Sequence, residues 1–359
     1  KIKASVPTIE YLVEKGAKVI LVTHLDRPGG EVDENLRVDS LADKLSEFLE
    51  VKVNKLNDFT GEDVRTEVDK MKKGEVIMLE NIRFSPDERK NSGKLAQQLA
   101  DLADIFVIDG FGITHRDHSS VSGVAEKLPA YSGLLLEKEI KNLDKVLSDP
   151  PKPFCLAMGG VKVKTKLPVI EKMADRVDYI LTGGGILNTY LASENIKIGS
   201  SVYGEEFTKQ AQEVFQLEEM IRPLDVTVGK KGKNGSRVEY LSEDKAEICT
   251  EEEMILDLGP KTIGKYQDYL EKSNTILFNG AMGLFEQEPF QLGTQAILES
   301  IVRVSDEDNT FTVIGGGETV QSLELVEEAD KIDFISTGGG AMLHYLTGEE
   351  LPGLKYLEK

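Results

Sequence analysis

The stretch PTIEYLVEKGAKVILVT, residues 7–23, reads as a helix over 8–14, a glycine stop at Gly16 and an apolar strand over 18–23. The same alternation continues along the chain. Apolar strand candidates stand at 76–79, 105–108, 154–158, 177–181, 275–278, 311–314 and 334–336, and amphipathic helical stretches such as 93–102 and 262–272 lie between them. Strands separated by helices pair in parallel and are covered by helices on both faces. The fold class expected is therefore α/β, as two doubly wound parallel-sheet domains joined by a hinge helix.

A chain of 359 residues exceeds what one hydrophobic core usually supports, which predicts two domains. The charged helical stretch 136–147 ends in SDPPKP, residues 148–153, and a new strand follows at once, so the boundary is placed there. The division expected is 1–134 for the first domain, 135–150 for the hinge helix and linker, 151–345 for the second domain and 346–359 for a tail. The acidic stretch 236–253, lacking a clear strand pattern, is expected to be a surface excursion of the second domain.

The formal net charge of −20 has the wrong sign for a protein that binds nucleic acid or an anionic membrane through its overall field. Anionic ligands must be held by local basic clusters. No apolar run approaches the ~20 residues needed to span a bilayer, and the first residues lack the layout of a secretory signal. With only two cysteines, Cys155 and Cys249, no disulfide framework is indicated, and the reducing cytoplasm is the expected compartment. The chain starts at Lys1 rather than Met, at the approach to a helix, and its natural start is expected upstream.

In the second half, strand after strand runs into glycine: Gly159-Gly160, Gly183 to Gly185, Gly315 to Gly317 and Gly338 to Gly340. Glycine at a strand end lets backbone amides approach a phosphate, and the following helix N-terminus adds partial positive charge. In an open parallel sheet, ligands bind beyond the carboxyl ends of the strands. Tight strand-to-helix packing is the competing reading for any one pair, but four clusters in one domain favour a nucleotide site. Neither GxxxxGK[ST] nor GxGxxG occurs, so the site is of another kind. In GGVKVKTK, Lys162 and Lys166 are placed to reach phosphates, with Lys166 following the transferring group and Lys164 left to solvent. Glu318 offers a hard oxygen for Mg²⁺, or else only caps its helix.

The first half ends its strands in basic side chains instead: His24 with Arg27, Arg83, and His115 with Arg116 and His118. Guanidinium forks bind carboxylate and phosphate oxygens bidentately, so these positions point to a small anionic substrate, the alternative being structural ion pairs. His115 and His118 lack the partners a zinc site needs. A nucleotide edge in one domain and a small-anion edge in the other imply phosphoryl transfer, which depends on in-line positioning, charge neutralisation and exclusion of water.

In this order, HLDRP at 24–28, LENIRF at 79–84, DGFGITHRDHSS at 109–120, GGVKVKTK, GGGILNTYL, DLGPKTI, FNGAMGLFE, GGGET and ISTGGGAMLHYLTGEELPG resemble the phosphoglycerate kinase family over essentially the whole chain. The resemblance implies a reversible, Mg²⁺-dependent transfer between ATP/ADP and the carboxylate of 3-phosphoglycerate, giving 1,3-bisphosphoglycerate, in a monomer. It implies that His24, Arg27, Arg83 and Arg116 hold 3-phosphoglycerate, and that Lys166, Lys1 and Arg116 are catalytic. Gly160, Lys162, Lys166, Gly184, Asn279, Glu286, Gly316, Gly317, Glu318 and Thr319 would bind the nucleotide, with Glu318 at the metal. The tail would return to the first domain. Ahead of Lys1 the family has a central strand and an Asp-x-Asn turn, and Lys1 stands where it has an arginine. Thr165 and Glu318 stand where it has aspartates, Ile255 where it has a glycine, Ala281 where it has a proline, His344 where it has a glutamate, and Asp26 where it has a glycine. Two further readings stay open: a catalytically weak homologue serving as a nucleotide-binding or regulatory module, and a kinase for another carboxylate.

Overall fold

The computed structural model describes residues 2–242, 244–307 and 310–358. The chain divides into two compact units, residues up to 141 together with those from 350 on, and residues 142–349. The helix Leu134–Ser148 contains the division.

In the first unit, strands β1 (Val19–Leu21), β2 (Val53–Lys55) and β3 (Val76–Met78) form a parallel sheet in the order β1-β3-β2. Side chains of the central strand alternate between two cores, as the two-residue period of a strand requires. Val76 and Met78 join Ile9, Val38, Ala42 and Leu45, which come from the helices Ile2–Glu14 and Asp39–Leu49 and the residue before the second. Ile77 and Leu79 join Val64, Leu95 and Leu99 from the helices Glu62–Lys70 and Gly93–Ala100. Strands β4 (Phe106–Ile108) and β5 (Ala130–Ser132) pair in parallel as a separate two-stranded sheet. The parallel class is as expected, but the first half carries two short sheets rather than one, because no described residue hydrogen-bonds β1 to β4. Residues from 350 on pack on this unit: Gly353 N–H donates to the Thr114 carbonyl at 2.8 Å, and Glu358 N–H to that of Ala130 at 2.8 Å.

The second unit is built on a five-stranded parallel sheet. Its strands are β6 (Phe154–Met158), β7 (Tyr179–Thr182), β13 (Thr275–Asn279), β14 (Phe311–Gly315) and β15 (Phe334–Ile335), in the order β15-β14-β13-β6-β7. All residues of β6 and β13 are buried without alternation, as befits strands covered on both faces. The helix Val163–Met173 packs with Gly184–Ser193 and Gly340–Leu346, and Pro260–Leu270 packs with Leu292–Val304.

Strands β8 (Lys197–Ile198), β9 (Asp225–Gly229), β10 (Ser236–Tyr240), β11 (Glu247–Cys249) and β12 (Met254–Leu258) form two further sheets, β10-β9-β12, which is antiparallel, and β11-β8. The stretch 236–253 is therefore not a strandless excursion: it holds β10 and β11. Its polarity comes from β10 lying at a sheet edge. There Arg237 bonds Glu239 and Glu253, and Lys245 bonds Glu239, so charge sits along the strand without breaking it.

Candidate active site

Register brings the glycine turns together. Met158 at the end of β6 is aligned with Asn279 of β13 and Thr182 of β7, and Asn279 with Gly315 of β14. The turns that follow these strands thus open on one edge of the sheet. Gly160 (φ 79°) and Gly280 (φ 92°) adopt left-handed backbone there, and each has the Lys166 ammonium against the place a side chain would fill, at 3.2 Å for Gly160 and closer still for Gly280. The Glu318 carboxylate lies 3.1 Å from the same point at Gly160.

Lys166, on the first turns of the helix Val163–Met173, is 5 % exposed. Its Nζ donates to Asn279 Oδ1 at 3.0 Å and to the Asn279 carbonyl at 3.4 Å. Burial lowers its pKa to about 8, Lys162 acts in the same direction, and Glu318 opposes both. Asn279 is itself buried, and its Nδ2 has no partner among the described residues although it lies 3.1 Å from the side-chain position of Gly316. A buried amide donor left unpaired costs free energy unless a ligand accepts from it. Thr319 Oγ1 accepts the Gly280 N–H at 2.6 Å and fixes the turn.

The remaining residues expected at the nucleotide take different places. Gly316 and Gly317 form the turn into the short helix Gly317–Ser322, and Glu318 is exposed on it. Lys162 is exposed at the start of its helix, where Thr165 Oγ1 donates to its carbonyl at 3.0 Å. Gly184 spends its N–H on the Met282 carbonyl at 2.9 Å, and its side-chain position lies 2.9 Å from Gly160 N, so what it supplies is close packing of chain against chain. Glu286 stands exposed further along the connection after β13. Ile255 is buried in β12, its N–H bonded to Ser201 Oγ at 2.8 Å. Among the described residues no group of three or more His, Cys, Asp or Glu is arranged to hold a metal ion.

In the first unit the basic residues stand on the connections after strands, Arg83 within the short helical turn Ile82–Phe84. Arg27 is exposed and Arg116 half-buried. Burial, and after it the charge of Arg27, lowers the pKa of Arg116, so the two guanidiniums are close enough to repel. Two like charges held near each other are an arrangement that an anion between them would relieve. Arg83 is 8 % exposed and donates from Nη1 to the Asp26 carbonyl at 2.6 Å, placing it against the loop that carries Arg27. His24 is half-buried on that loop. His115 and Arg116 approach at 3.5 Å, whereas His118 faces the Glu88 carboxylate at 3.5 Å. Lys1 lies outside the described residues.

Three further residues escape a reading of the sequence. Gly280 and Asn81 lie within the motifs FNGAMGLFE and LENIRF, but nothing local distinguishes them there. Asp257 of β12 is 3 % exposed and is pushed up to about 8 by burial, against the opposing effect of the Gly293 N–H donated to its Oδ2 at 2.7 Å. A single acidic residue in the apolar run MILDL gives no sign of how its burial shifts it.

Residues 1–349 match the family model for phosphoglycerate kinase. The phosphoglycerate kinase of Moorella thermoacetica is 42 % identical over 359 residues, which cover 99 % of this chain and 90 % of that protein. That of Pelotomaculum thermopropionicum is 42 % identical over 362 residues, with the same coverage of 99 % and 90 %. Among solved structures, phosphoglycerate kinase from Pyrococcus horikoshii superposes with a TM-score of 0.85 at 33 % identity, covering 99 % of this chain and 90 % of the other. The enzyme from Coxiella burnetii gives 0.81 at 33 % identity, with 98 % and 89 % covered. With its sheets, its glycine edge and its arginine loops in the order that the motifs foretell, the chain belongs to the phosphoglycerate kinase family, enzymes that transfer a phosphoryl group between ATP and 3-phosphoglycerate.

Proposed function

We propose that the two units divide the substrates of this transfer between them. The first, with residues 1–134 at its heart, takes 3-phosphoglycerate, and the second, within 151–345, takes the nucleotide. The observation that carries the nucleotide assignment is the buried Lys166 ammonium beside the unpartnered Asn279 amide, where three strand ends open into glycine turns. A phosphate oxygen would satisfy the amide and compensate the desolvated charge at one point. Gly160, Gly316, Gly317 and Thr319 shape the backbone around it, and Lys162 adds a solvent-side cation. The fit for Gly184 and Glu286 is weaker: Gly184 supports through packing and Glu286 stands exposed on a neighbouring connection.

Lys166 follows the transferring phosphoryl group, because an ammonium fixed by Asn279 neutralises equatorial oxygen charge without reorganising during the step. Arg27 and Arg116, aided by His24 and Arg83, hold the acceptor's anionic groups and orient its carboxylate. The catalytic part expected of Lys1 rests on the family resemblance alone. The donor set fits Mg²⁺ bound with a nucleotide rather than a cage made wholly of protein. Glu318 supplies one carboxylate at the glycine edge, and phosphates and water would complete the shell. The ion would supply charge neutralisation between the phosphates. We place the protein in the reducing cytoplasm, a reading supported by two free, buried thiols, Cys155 and Cys249; that it is a monomer rests on the family resemblance alone.

The test is a coupled assay of ATP-dependent 1,3-bisphosphoglycerate formation by the full-length protein. Turnover with 3-phosphoglycerate is expected. Nucleotide binding without turnover would favour a binding or regulatory module, and turnover confined to another carboxylate would reassign the acceptor.

A further inference from the structure

We propose that Asn81 is a positioning residue for the small-anion site, one that fixes the loop carrying His24 and Arg27 and thereby sets the affinity for the anionic acceptor. The proposal rests on the reading of that loop as the 3-phosphoglycerate site. Between β1 and the helix Asp39–Leu49 the chain has only one three-residue helical turn, Glu34–Leu36, so the loop makes few regular backbone bonds of its own. Its shape must come from neighbours.

Those neighbours are successive residues of one short segment. Ile82 N–H donates to the Thr23 carbonyl at 3.1 Å, and Arg83 Nη1 to that of Asp26 at 2.6 Å. Glu80 Oε1 accepts the Val38 N–H at 3.2 Å. Asn81 grips the loop at both ends, its Nδ2 donating to the Leu25 carbonyl and to the Leu36 carbonyl, each at 2.9 Å. The amide is wholly buried and held in orientation, because its Oδ1 accepts the Arg83 N–H at 3.1 Å. Its own N–H goes to Glu80 Oε1 at 2.8 Å. Both side-chain protons of one asparagine thus bracket the stretch in which Arg27 stands.

The bracket has something to resist. Asp26, next to Arg27, is held at φ 52°, a region costly for a residue with a side chain. Arg27 is also close enough to Arg116 to disfavour its charged form. Like charges separate unless the backbone prevents it. Releasing Leu25 and Leu36 would let the loop relax away from Arg116 and open the anion seat, while leaving the second unit's nucleotide edge untouched.

Calorimetric binding of 3-phosphoglycerate and of ATP to the full-length protein tests this in Asn81→Ala, Arg27→Ala and the double variant. Asn81→Ala is expected to weaken 3-phosphoglycerate at least tenfold with ATP affinity unchanged. The double variant is expected to lose less than the product of the two single losses, because most of what Asn81 positions has already gone with Arg27. Unchanged affinity in Asn81→Ala, or losses that multiply in the double variant, would overturn the proposal. The site reading fails separately, and takes the proposal with it, only if Arg27→Ala binds 3-phosphoglycerate normally. Should Asn81→Ala not unfold cooperatively, Asn81→Ser, which keeps a small polar side chain at the buried position but reaches neither carbonyl, carries the same comparison.

Discussion

Both units gather positive charge at their candidate sites within a chain of net charge −20, and they assemble that charge differently. In the second unit it is a buried lysine, fixed by Asn279 and hemmed in by the backbone of Gly160 and Gly280, with strand register deciding the geometry. In the first unit it is a set of arginines on the connections after strands, held by side-chain bonds such as those of Asn81 and Arg83. A site made from strand ends tolerates almost no change of shape at its centre, where Lys166, Asn279 and the glycine backbone are main chain or buried. A site made from loop side chains tolerates conservative exchange, provided that the bonds pinning the loop survive. The difference matches the tasks proposed: stabilising a transferring group needs preorganisation, whereas seating a small acceptor needs complementary charge.

The largest effect expected from breaking this contrast is that of Lys166→Met. It removes the preorganised cation and should lower kcat by about 10²–10³-fold, the range for losing one transition-state donor. Steady-state kinetics should show little change in KM for 3-phosphoglycerate. Arg27→Ala should do the reverse, raising KM for 3-phosphoglycerate by about 10–10²-fold, the equivalent of one charge-assisted bond, with KM for ATP unaltered. Equal effects of both variants on both substrates would erase the distinction between the units.

A titration sharpens it. Lys166 is cationic only below a pKa lowered to about 8, so in the free enzyme ATP affinity should fall as pH rises through that value, by up to about tenfold per unit. Lys166→Arg, whose charge persists, should flatten that dependence in a binding titration from pH 6.5 to 9.5. The acceptor is held chiefly by guanidinium groups, whose charge does not depend on a lysine-like titration, so 3-phosphoglycerate affinity should not follow the same curve.

The smallest expected effect on turnover is that of Asp257→Asn, which acts on stability. The folded state keeps the Asp257 proton up to about pH 8, while the unfolded chain releases it near the ordinary carboxylate value. The folded state therefore binds more protons between these limits, and this group makes stability fall as pH rises across them, by at most about 1.4 kcal/mol per unit. Asp257→Asn should remove that component, which denaturant melts at pH 5 and pH 8 would detect as a smaller loss on going to the higher pH.

Much of this is legible in the primary structure, for identifiable reasons. The five core strands of the second unit are visible because burial on both faces demands unbroken apolar runs, and β6 and β13 are such runs. The glycine clusters are visible because left-handed backbone at a strand end restricts the residue type. By contrast β9, β10 and β12 are not. An edge strand such as β10 alternates in burial and carries Arg237 and Glu239, so its composition resembles a loop until its partner is known. In sequence Gly184 reads as a phosphate contact, whereas its packing against Gly160 depends on how β6 and β7 are aligned.

The sequence by itself determined which chemistry is present and in what order: parallel α/β units, a lysine after a glycine turn, arginines after the earlier strands, and through their motifs the family. Those are properties of residue type and short spacing, which local sterics and hydrophobic period dictate. Only the tertiary structure decided what each of these residues is worth. Lys166 has a lowered pKa because the fold buries it, fixed on Asn279 113 residues away, and Arg27 has a defined place because Asn81 reaches across to Leu25 and Leu36. Desolvation and hydrogen bonding act through space over a few ångströms, and the distances that govern them are fixed by strand register and loop closure.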